Sequence, residues 1–304
     1  MTDQKKTRCG FIALIGAPNA GKSCLLNSLV GGKVSIVSPK VQTTRTRVLG
    51  IITEDGGQGV FIDTPGIFRP KRRLDRAMVA AAHDARDDAD IVAVVADAAR
   101  KDCADTVSKI ASRIPGLDHG RQIILVLNKV DLLDRKKLLP LVAKITSGIP
   151  FVSTFMISAT RNDGVADLRK WIMGHLPEGP FHYDPDAATD TPDSILAAEI
   201  TREKLFLRLH EELPYGVHVE TTDFEVQQDG SIRISQTIIT NETRHKGMVI
   251  GRGGAMLKLI GQLAREELDK IFNTRVHLFL DVVVRDGWDE KSEMISGMGL
   301  DPNA

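Results

Sequence analysis

Short apolar runs alternate with helix-like stretches over the first part of the chain. The runs lie at residues 11–15, 48–52, 59–62, 91–96, 123–127 and 155–157. They are rich in Val and Ile, and such runs separated by helical stretches are typical of a parallel sheet with helices on both faces. Only "TEDGGQ" joins the second and third runs, which suits a hairpin with one antiparallel strand. The pattern therefore predicts an α/β fold with a mixed, mostly parallel six-stranded sheet.

A proline-rich acidic stretch, "LPEGPFHYDPDAATDTPD", follows this pattern and has no periodicity, which indicates a linker. After it come a helical stretch, two strand-like runs joined by the hairpin signal "QQDG", a glycine-rich turn, a helix and a last strand. The predicted order is α-β-β-α-turn-α-β, an α+β domain. We predict domains at residues 1–176 and 194–286, a linker at 177–193 and a C-terminal tail at 287–304, whose sequence is typical of a helix.

Composition narrows the class of protein only a little. Residues 1–178 hold 27 basic and 18 acidic side chains and the remainder 13 and 22, so the zero net charge carries no information about nucleic acid. No stretch approaches the roughly 20 apolar residues of a membrane span, and the N-terminus lacks the apolar core of a signal peptide. Three cysteines without metal spacing indicate reduced thiols. We expect a cytoplasmic protein.

The segment "GAPNAGKS" follows the first apolar run and matches the phosphate-binding pattern G-x-x-x-x-G-K-[ST]. Glycines allow backbone N–H groups to approach phosphate oxygens, and the next helix presents the positive end of its dipole. Lys22 adds a positive charge near the β and γ phosphates, and Ser23 offers a hydroxyl to Mg²⁺. We predict that the whole turn contacts the nucleotide: Gly16, Ala17, Pro18, Asn19, Ala20, Gly21, Lys22 and Ser23.

The segment "DTPG" follows the third apolar run, so it lies at the end of a predicted strand. Asp63 there can reach the Mg²⁺ shell through a water molecule, and the Gly66 N–H group can reach a γ-phosphate. Open α/β sheets bind ligands at the carboxyl ends of their strands. The nucleotide contacts predicted for this segment are Asp63, Thr64, Pro65 and Gly66.

Two further segments select the base. In "NKVD", Asp131 can accept hydrogen bonds from the N1 and 2-amino groups of guanine, which adenine does not offer. Asn128 is predicted at the base edge and Lys129 over the ring. In "SAT", the backbone at Ser158 and Ala159 can meet the guanine O6. Together with the phosphate turn, these segments predict GTP and GDP as ligands.

The segment "QTTRTR" at residues 42–47 lies where GTPases place a mobile threonine that closes on Mg²⁺ and the γ-phosphate. Thr43 and Thr44 both qualify, and the sequence does not choose between them. The predicted catalytic residues are therefore Lys22, Gly66 and one of these threonines, and the predicted metal site is Ser23, Asp63 and Thr44. Ile67 stands where small GTPases carry a water-positioning glutamine, so we expect unassisted hydrolysis on the order of 10⁻³ s⁻¹ or less.

A second glycine turn, "GRGG" at residues 251–254, lies between two helical pieces, as in a type II KH domain. A G-x-x-G turn brings backbone close to a nucleic-acid strand. Residues 243–265 contain no acidic side chain although the second domain is acidic overall, and a local positive surface suits a single-stranded backbone. The predicted RNA contacts are Arg244, Lys246, Gly251, Arg252, Gly253, Gly254 and Lys258. A basic run at 69–76 is either a solvated loop or a nucleotide-gated RNA contact.

These motifs, with "LPEGP", "AAEITREKL", "ELPY" and "KGMVIGRGG", resemble the Era GTPases of bacteria across nearly the whole chain. The resemblance implies a Mg²⁺-dependent GTPase domain and a KH domain that binds the 3′ end of 16S rRNA and assists maturation of the small (30S) ribosomal subunit. It also implies a monomer, peripheral association with the inner membrane and K⁺ at Asn19; the alternative for Asn19 is a turn-stabilising role. Cys24 departs from the usual threonine of the family.

Three functions remain open at this point. The leading one is a GTP-gated ribosome assembly factor, in which residues 38–47 and 66–76 rearrange and alter access to the KH turn. The second is an RNA-modifying enzyme that uses GTP as a clock, although residues 180–304 show no separate catalytic motif. The third is a constitutive RNA-binding module with a vestigial nucleotide domain, although none of the four nucleotide motifs is broken.

Overall fold

A computed structural model describes residues 7–66, 70, 72–87, 89–114, 122–210 and 213–304. Its first sheet has the strand order β2-β3-β1-β4-β5-β6. The β2–β3 pair is antiparallel, and the other neighbours pair in parallel. The strands are β1 (Arg8–Ile15), β2 (Val48–Glu54), β3 (Gly57–Asp63), β4 (Ile91–Asp97), β5 (Gln122–Asn128) and β6 (Ser153–Met156). The predicted mixed, mostly parallel sheet and its hairpin are confirmed.

Helices cover both faces of this sheet. Successive side chains of each strand point to opposite faces, and the apolar side chains on both faces are buried under helices. One core joins the sheet to α1 and α5, and a second joins it to α3 and α4. The helices are α1 (Lys22–Val30), α2 (Arg73–Asp87), α3 (Cys103–Ala111), α4 (Arg135–Thr146) and α5 (Val165–Gly174). The parallel strands all end at one edge, which brings the four predicted nucleotide motifs together.

The second domain has the predicted order α-β-β-α-turn-α-β. Its sheet runs β7-β8-β9, with an antiparallel first pair and a parallel second pair. The elements are α6 (Asp193–Arg208), β7 (Val217–Val226), β8 (Ile232–Thr240), α7 (Thr243–Ile250), α8 (Ala255–Phe272) and β9 (Val276–Val284). Across the described residues, no helix combines the length and the apolar character that a membrane crossing requires.

The segment predicted as a linker packs along the first sheet. The Gln58 side chain accepts hydrogen bonds from the backbone N–H groups of His182 (2.9 Å) and Tyr183 (3.0 Å) and donates one to the Tyr183 carbonyl (2.9 Å). The Ile51 N–H group donates to the Ala188 carbonyl at 2.8 Å. These bonds hold the segment against the edge hairpin, whereas the exact domain limits stay a prediction.

The C-terminal tail folds back between the two domains. A short 3-10 helix begins at Trp288 and is followed by α9 (Ser292–Gly297). The Trp288 ring is fully buried and donates to the Gly216 carbonyl at 3.1 Å. Together with Ile295 and Leu300 it packs against Met78 of α2 and residues of the second sheet. The tail therefore forms part of the contact between the domains.

The His218 imidazole stacks on the Trp288 ring, with ring centres 5.4 Å apart. Burial, followed by the nearby charges of Arg45, Arg202 and Arg285, lowers the pKa of His218 to about 3. In the unfolded chain an ordinary histidine titrates near pH 6.5, so between pH 3 and 6.5 the unfolded state binds more protons. The contribution of His218 to the stability of the fold therefore decreases as the pH falls through this window.

We expect His218 to contribute a loss of about 1 kcal/mol in unfolding free energy per pH unit below 6.5. Urea unfolding at pH 7.5 and 5.5 measures this change. A His218→Gln variant should show a smaller difference between the two pH values, whereas His210→Gln, at an exposed position, should keep the full difference. An unchanged pH dependence in His218→Gln would contradict this assignment.

Candidate functional site: a nucleotide cleft and a basic glycine turn

The turn between β1 and α1 is shaped by contacts that exclude side chains. A Cβ atom on Gly16 would lie 2.3 Å from the Val95 carbonyl oxygen, and one on Gly21 would lie 2.2 Å from the Asn128 side-chain nitrogen. Gly21 also has φ of 94°, a left-handed conformation that favours glycine. The backbone therefore forms a smooth cradle that opens onto the N-terminus of α1, and such a cradle suits phosphate oxygens.

Lys22 and Asp63 are two buried opposite charges under this cradle. The Lys22 amine bonds the Gly16 carbonyl at 3.3 Å. Burial lowers the pKa of Lys22, and the attraction of Asp63 partly opposes this. Burial likewise raises the pKa of Asp63, opposed first by the charge of Lys22. The pair therefore carries a desolvation cost that an anionic phosphate and a bound cation would each reduce.

Oxygen atoms cluster beside Lys22. The Ser23 hydroxyl donates to Asp63 Oδ2 at 2.5 Å and lies 2.9 Å from the Thr44 hydroxyl, and the Ser35 hydroxyl donates to the same carboxylate oxygen at 3.0 Å. Asp63 Oδ1 is buried without a hydrogen-bond partner among the described residues. An all-oxygen set with a free carboxylate oxygen is the donor chemistry that Mg²⁺ prefers. The residues present therefore fit the predicted ion.

The two candidate threonines differ in their surroundings. Thr44 lies in the oxygen cluster, whereas the Thr43 hydroxyl donates to the Lys40 carbonyl at 2.7 Å and lies 2.6 Å from the Ser38 hydroxyl. This geometry favours Thr44 as the residue that closes on Mg²⁺. A cleft of about 270 Å³ lies between the phosphate turn and residues 36–44.

The "DTPG" segment packs directly on the phosphate turn. The Thr64 hydroxyl is buried and donates to the Leu14 carbonyl at 3.0 Å. A Cβ atom on Gly66 would lie 2.8 Å from the Pro18 backbone nitrogen, so glycine is required for this approach. Ile67, the residue predicted to make hydrolysis slow, lies outside the described residues.

Asn128 joins three of the predicted motifs. Its side-chain nitrogen donates to the Ala20 carbonyl at 3.0 Å, and its side-chain oxygen accepts from the Ala159 N–H group at 3.0 Å and the Lys129 N–H group at 2.8 Å. Each end of the amide is therefore used to hold the loops together. Contact between Asn128 and a base edge stays a prediction.

Lys129 and Asp131 have charged partners that the sequence analysis missed. The Lys129 amine pairs with Asp97 at 2.7 Å and bonds the Asn19 carbonyl at 2.7 Å. Asp131 pairs with the exposed Arg161 at 3.3 Å. Asp97 ends β4 and was recognisable from the strand-end rule, whereas no pattern in the sequence pointed to Arg161. The Arg161 guanidinium therefore lies beside one oxygen of the carboxylate that is predicted to bind guanine.

Asn19 contacts the segment that carries the candidate threonines. It adopts φ of 62°, and its side-chain nitrogen donates to the Pro39 carbonyl at 2.8 Å. This contact supports the turn-stabilising role, while K⁺ binding at Asn19 stays a prediction.

The second glycine turn connects α7 to α8. Gly251 has φ of 71° and ψ of 175°, a region that is essentially restricted to glycine. Gly253 and Gly254 also have positive φ, of 60° and 80°. No side chain caps the N-terminus of α8, and the N–H group of Ala255 donates to the Arg252 carbonyl within the turn. Backbone N–H groups and the helix dipole together favour an anion such as a phosphate.

Basic and apolar side chains surround this turn. Arg244, Arg252 and Lys258 are exposed, and Lys246 is half-buried. Val249 is fully buried in the domain core, against which Ile250, Met256 and Leu257 also pack. Core packing is therefore the main role of these four apolar residues. The glycine turn is therefore flanked by exposed basic side chains on both sides in the chain, and contact of these residues with RNA stays a prediction.

The basic run at residues 69–76 contacts the tail. Arg72 forms an ion pair with Asp289 at 3.0 Å, and the Arg73 guanidinium donates to the Pro302 carbonyl at 2.7 Å. The Arg73 backbone N–H group donates to Glu290 at 3.2 Å. Arg72 and Arg73 are therefore held by the tail and do not form a freely solvated loop. A contact of this run with RNA stays a prediction, and residues 69 and 71 lie outside the described part.

Comparison with known proteins connects both sites to one family. The sequence model of the family described as 50S ribosome-binding GTPase matches residues 11–129. The sequence model of the KH-domain family matches residues 212–289. The GTPase Era of Bradyrhizobium sp. strain BTAi1 is 51% identical over 296 residues, covering 97% of this chain and 95% of that protein. The GTPase Era of Brucella suis biovar 1 is 51% identical over 300 residues, covering 99% and 96%.

Two solved structures match over almost the full length at 35% identity. A variant of Aquifex aeolicus Era bound to GDP and AlF4- has a TM-score of 0.90, and an Era in complex with MgGDPNP and nucleotides 1506–1542 of 16S ribosomal RNA has a TM-score of 0.89. In both comparisons the matched region spans 96% of this chain and 99% of the solved chain. With a P-loop GTPase domain followed by a KH domain, and with this identity over its whole length, the chain belongs to the Era family of GTPases.

Proposed function

We propose that this protein is a Mg²⁺-dependent GTPase switch that binds the 3′ end of 16S rRNA through its KH domain and assists assembly of the small ribosomal subunit. The observation that carries the proposal is the oxygen cluster of Ser23, Thr44 and Asp63 under a glycine cradle, on the same chain as a basic glycine turn. The related Era bound to MgGDPNP and 16S rRNA supports both ligands.

Different residues of this chain bind the phosphates, the guanine base and the metal ion. Lys22 and the cradle bind the phosphates, and Asp131 selects guanine. Ser23 and Thr44 would hold Mg²⁺, with Asp63 acting through water, and the ion would neutralise charge on the phosphates. Gly66 would place an N–H group at the γ-phosphate. With isoleucine at position 67, GTP hydrolysis without an activator is slow. The GTP-bound state is then long-lived, as in a switch protein and unlike a metabolic enzyme.

RNA binding measured in three nucleotide states tests this function. A synthetic RNA equivalent to nucleotides 1506–1542 of 16S rRNA is titrated with the apo protein and with its GDP and non-hydrolysable GTP complexes, at one fixed salt concentration. We expect the GTP complex to bind about 5- to 150-fold more tightly than the GDP complex, the usual size of coupling between two sites. A scrambled RNA of equal length and composition is the control.

The other outcomes separate the remaining hypotheses. Equal affinity in all three states would contradict gating and favour a constitutive RNA-binding module. Equal affinity for the scrambled RNA would contradict recognition of the 16S sequence. A chemical change in the recovered RNA would instead support an RNA-modifying enzyme.

Three finer features belong to the same proposal. We propose a cytoplasmic monomer that associates peripherally with the inner membrane and uses K⁺ at Asn19. They rest on the resemblance to the family. Hydrolysis rates in KCl and NaCl of equal concentration test the last of them.

A further inference from the structure

The two neighbours of Thr44 in the chain are both held by the KH domain. Arg45 extends into that domain, where its guanidinium donates to the carbonyls of Val217 at 2.7 Å and Tyr215 at 3.0 Å. On the other side, the guanidinium of Arg202 in α6 donates to the Thr43 carbonyl at 2.6 Å. The threonine in the oxygen cluster therefore lies between two arginine contacts that cross the domain interface.

The two arginines are unusually buried for charged side chains. Arg45 is 4% exposed and Arg202 is 0% exposed. They lie on the same Phe206 ring, with the guanidinium carbons 5.7 and 5.2 Å from its centre, and Arg45 also lies 5.4 Å from the Trp288 ring. Burial, followed by the charge of Arg202, lowers the pKa of Arg45 to about 9, so Arg45 remains charged at neutral pH.

Such an arrangement is costly as core packing. Two like charges are removed from water, and apolar side chains would fill the same space with a smaller desolvation penalty. Glu199 compensates Arg202 in part, through a 2.7 Å bond to its Nε atom. Arg202 Nη1 nevertheless has no hydrogen-bond partner among the described residues. Unlike apolar side chains, the guanidinium groups form directional hydrogen bonds, and these bonds fix the position of the backbone around Thr44.

We infer that Arg45 and Arg202 are positioning residues through which the docked KH domain holds Thr44 at the Mg²⁺ and γ-phosphate site. This inference rests on the proposed role of Thr44 in binding Mg-GTP. Segments of this kind are ordered by contacts of the γ-phosphate and Mg²⁺ and are released when the γ-phosphate is absent. The arginine contacts therefore matter for the GTP complex and have little effect on the GDP complex.

The ratio of two affinities tests this role. The full chain and its Arg45→Ala, Arg45→Lys and Arg202→Gln variants are titrated with GDP and with a non-hydrolysable GTP analogue, and the Mg²⁺ dependence of each is measured. We expect the affinity for the GTP analogue to fall about 10- to 100-fold, the usual effect of losing a group that orients a metal ligand, together with a higher Mg²⁺ requirement. The affinity for GDP should change little, which also reports that each variant is folded.

Lysine at position 45 keeps the charge but lacks the planar fork that reaches two carbonyls, so Arg45→Lys should fall between the wild-type protein and Arg45→Ala. Arg233→Gln is the matched control, because Arg233 also lies over a phenylalanine ring (Phe279, 5.6 Å) but pairs with Asp223 on the outer face of the KH sheet. It should leave both affinities unchanged.

The outcomes distinguish this inference from the proposed function. If the wild-type protein prefers guanine nucleotides and the variants keep its ratio of GTP-analogue to GDP affinity, the inference is wrong and the proposed function stands. An equal loss of affinity for GDP and for the GTP analogue would also overturn the inference, because the arginines would then have only a structural role. If the wild-type protein binds neither nucleotide, both fail. Should Arg45→Ala not fold, Arg45→Lys and Arg202→Gln decide the question.

Discussion

Replacing Lys22 with alanine is expected to abolish tight binding of both GTP and GDP. The amine lies buried below the glycine cradle, where no water molecule can replace its charge at low cost. In the complex the amine and a nucleotide phosphate would form a buried charge pair. Removing one partner of a buried charge pair costs about 2–5 kcal/mol, which corresponds to a loss of affinity of about thirty-fold or more. Both nucleotides should be affected, because the lysine also serves the β-phosphate that GDP retains.

Titration of the full chain with fluorescent GDP and GTP analogues in the presence of Mg²⁺ measures this effect. Lys137→Ala is a suitable control, because Lys137 is an exposed residue of α4. Lys22→Ala should also lose the nucleotide dependence of RNA binding while keeping the affinity of the apo protein for RNA. Wild-type affinity for nucleotide in Lys22→Ala would contradict the assignment of the phosphate-binding turn.

Replacing Gly251 with aspartate is expected to lower the affinity for the 16S RNA about 100-fold, which corresponds to about 2.8 kcal/mol. Two effects add. The backbone at Gly251 lies in a region that costs other residues about 1–3 kcal/mol, and an added Cβ atom would lie 2.7 Å from the Met256 Cβ atom. The turn must therefore change shape, and the new carboxylate would repel the phosphates that it is proposed to hold.

Gly247→Asp separates these two effects. Gly247 lies in α7 and is exposed, and a Cβ atom added there would meet open space, so the same charge is added without strain in the turn. We expect a clearly smaller loss of RNA affinity in Gly247→Asp and unchanged GDP binding in both variants. Equal RNA affinity in Gly251→Asp and the wild-type protein would show that the glycine turn does not contact the RNA.

The sheet and the nucleotide motifs were predictable because the signals that specify them are local. Strands that are buried on both faces must be nearly continuous apolar runs, and a cradle for phosphate requires glycine at a few consecutive positions, as at Gly16 and Gly21. The same holds for Gly251 in the KH turn. In each case a short segment carries the whole physical requirement, so the fold class and the chemistry of both sites followed from the residues alone.

The connections between the sites depended on tertiary structure. Thr43 and Thr44 are equivalent in the sequence, and only the packing of their loop brings the Thr44 hydroxyl to Ser23. The partners of Arg45 and Arg72 lie in the second half of the chain, at Val217 and Asp289. Polar loops have no periodicity that would predict such contacts, because a hydrogen bond between distant segments is decided by how their domains dock. The amino-acid order therefore specifies the chemistry of each site, and the docking of the domains decides which residues of one domain contact the other.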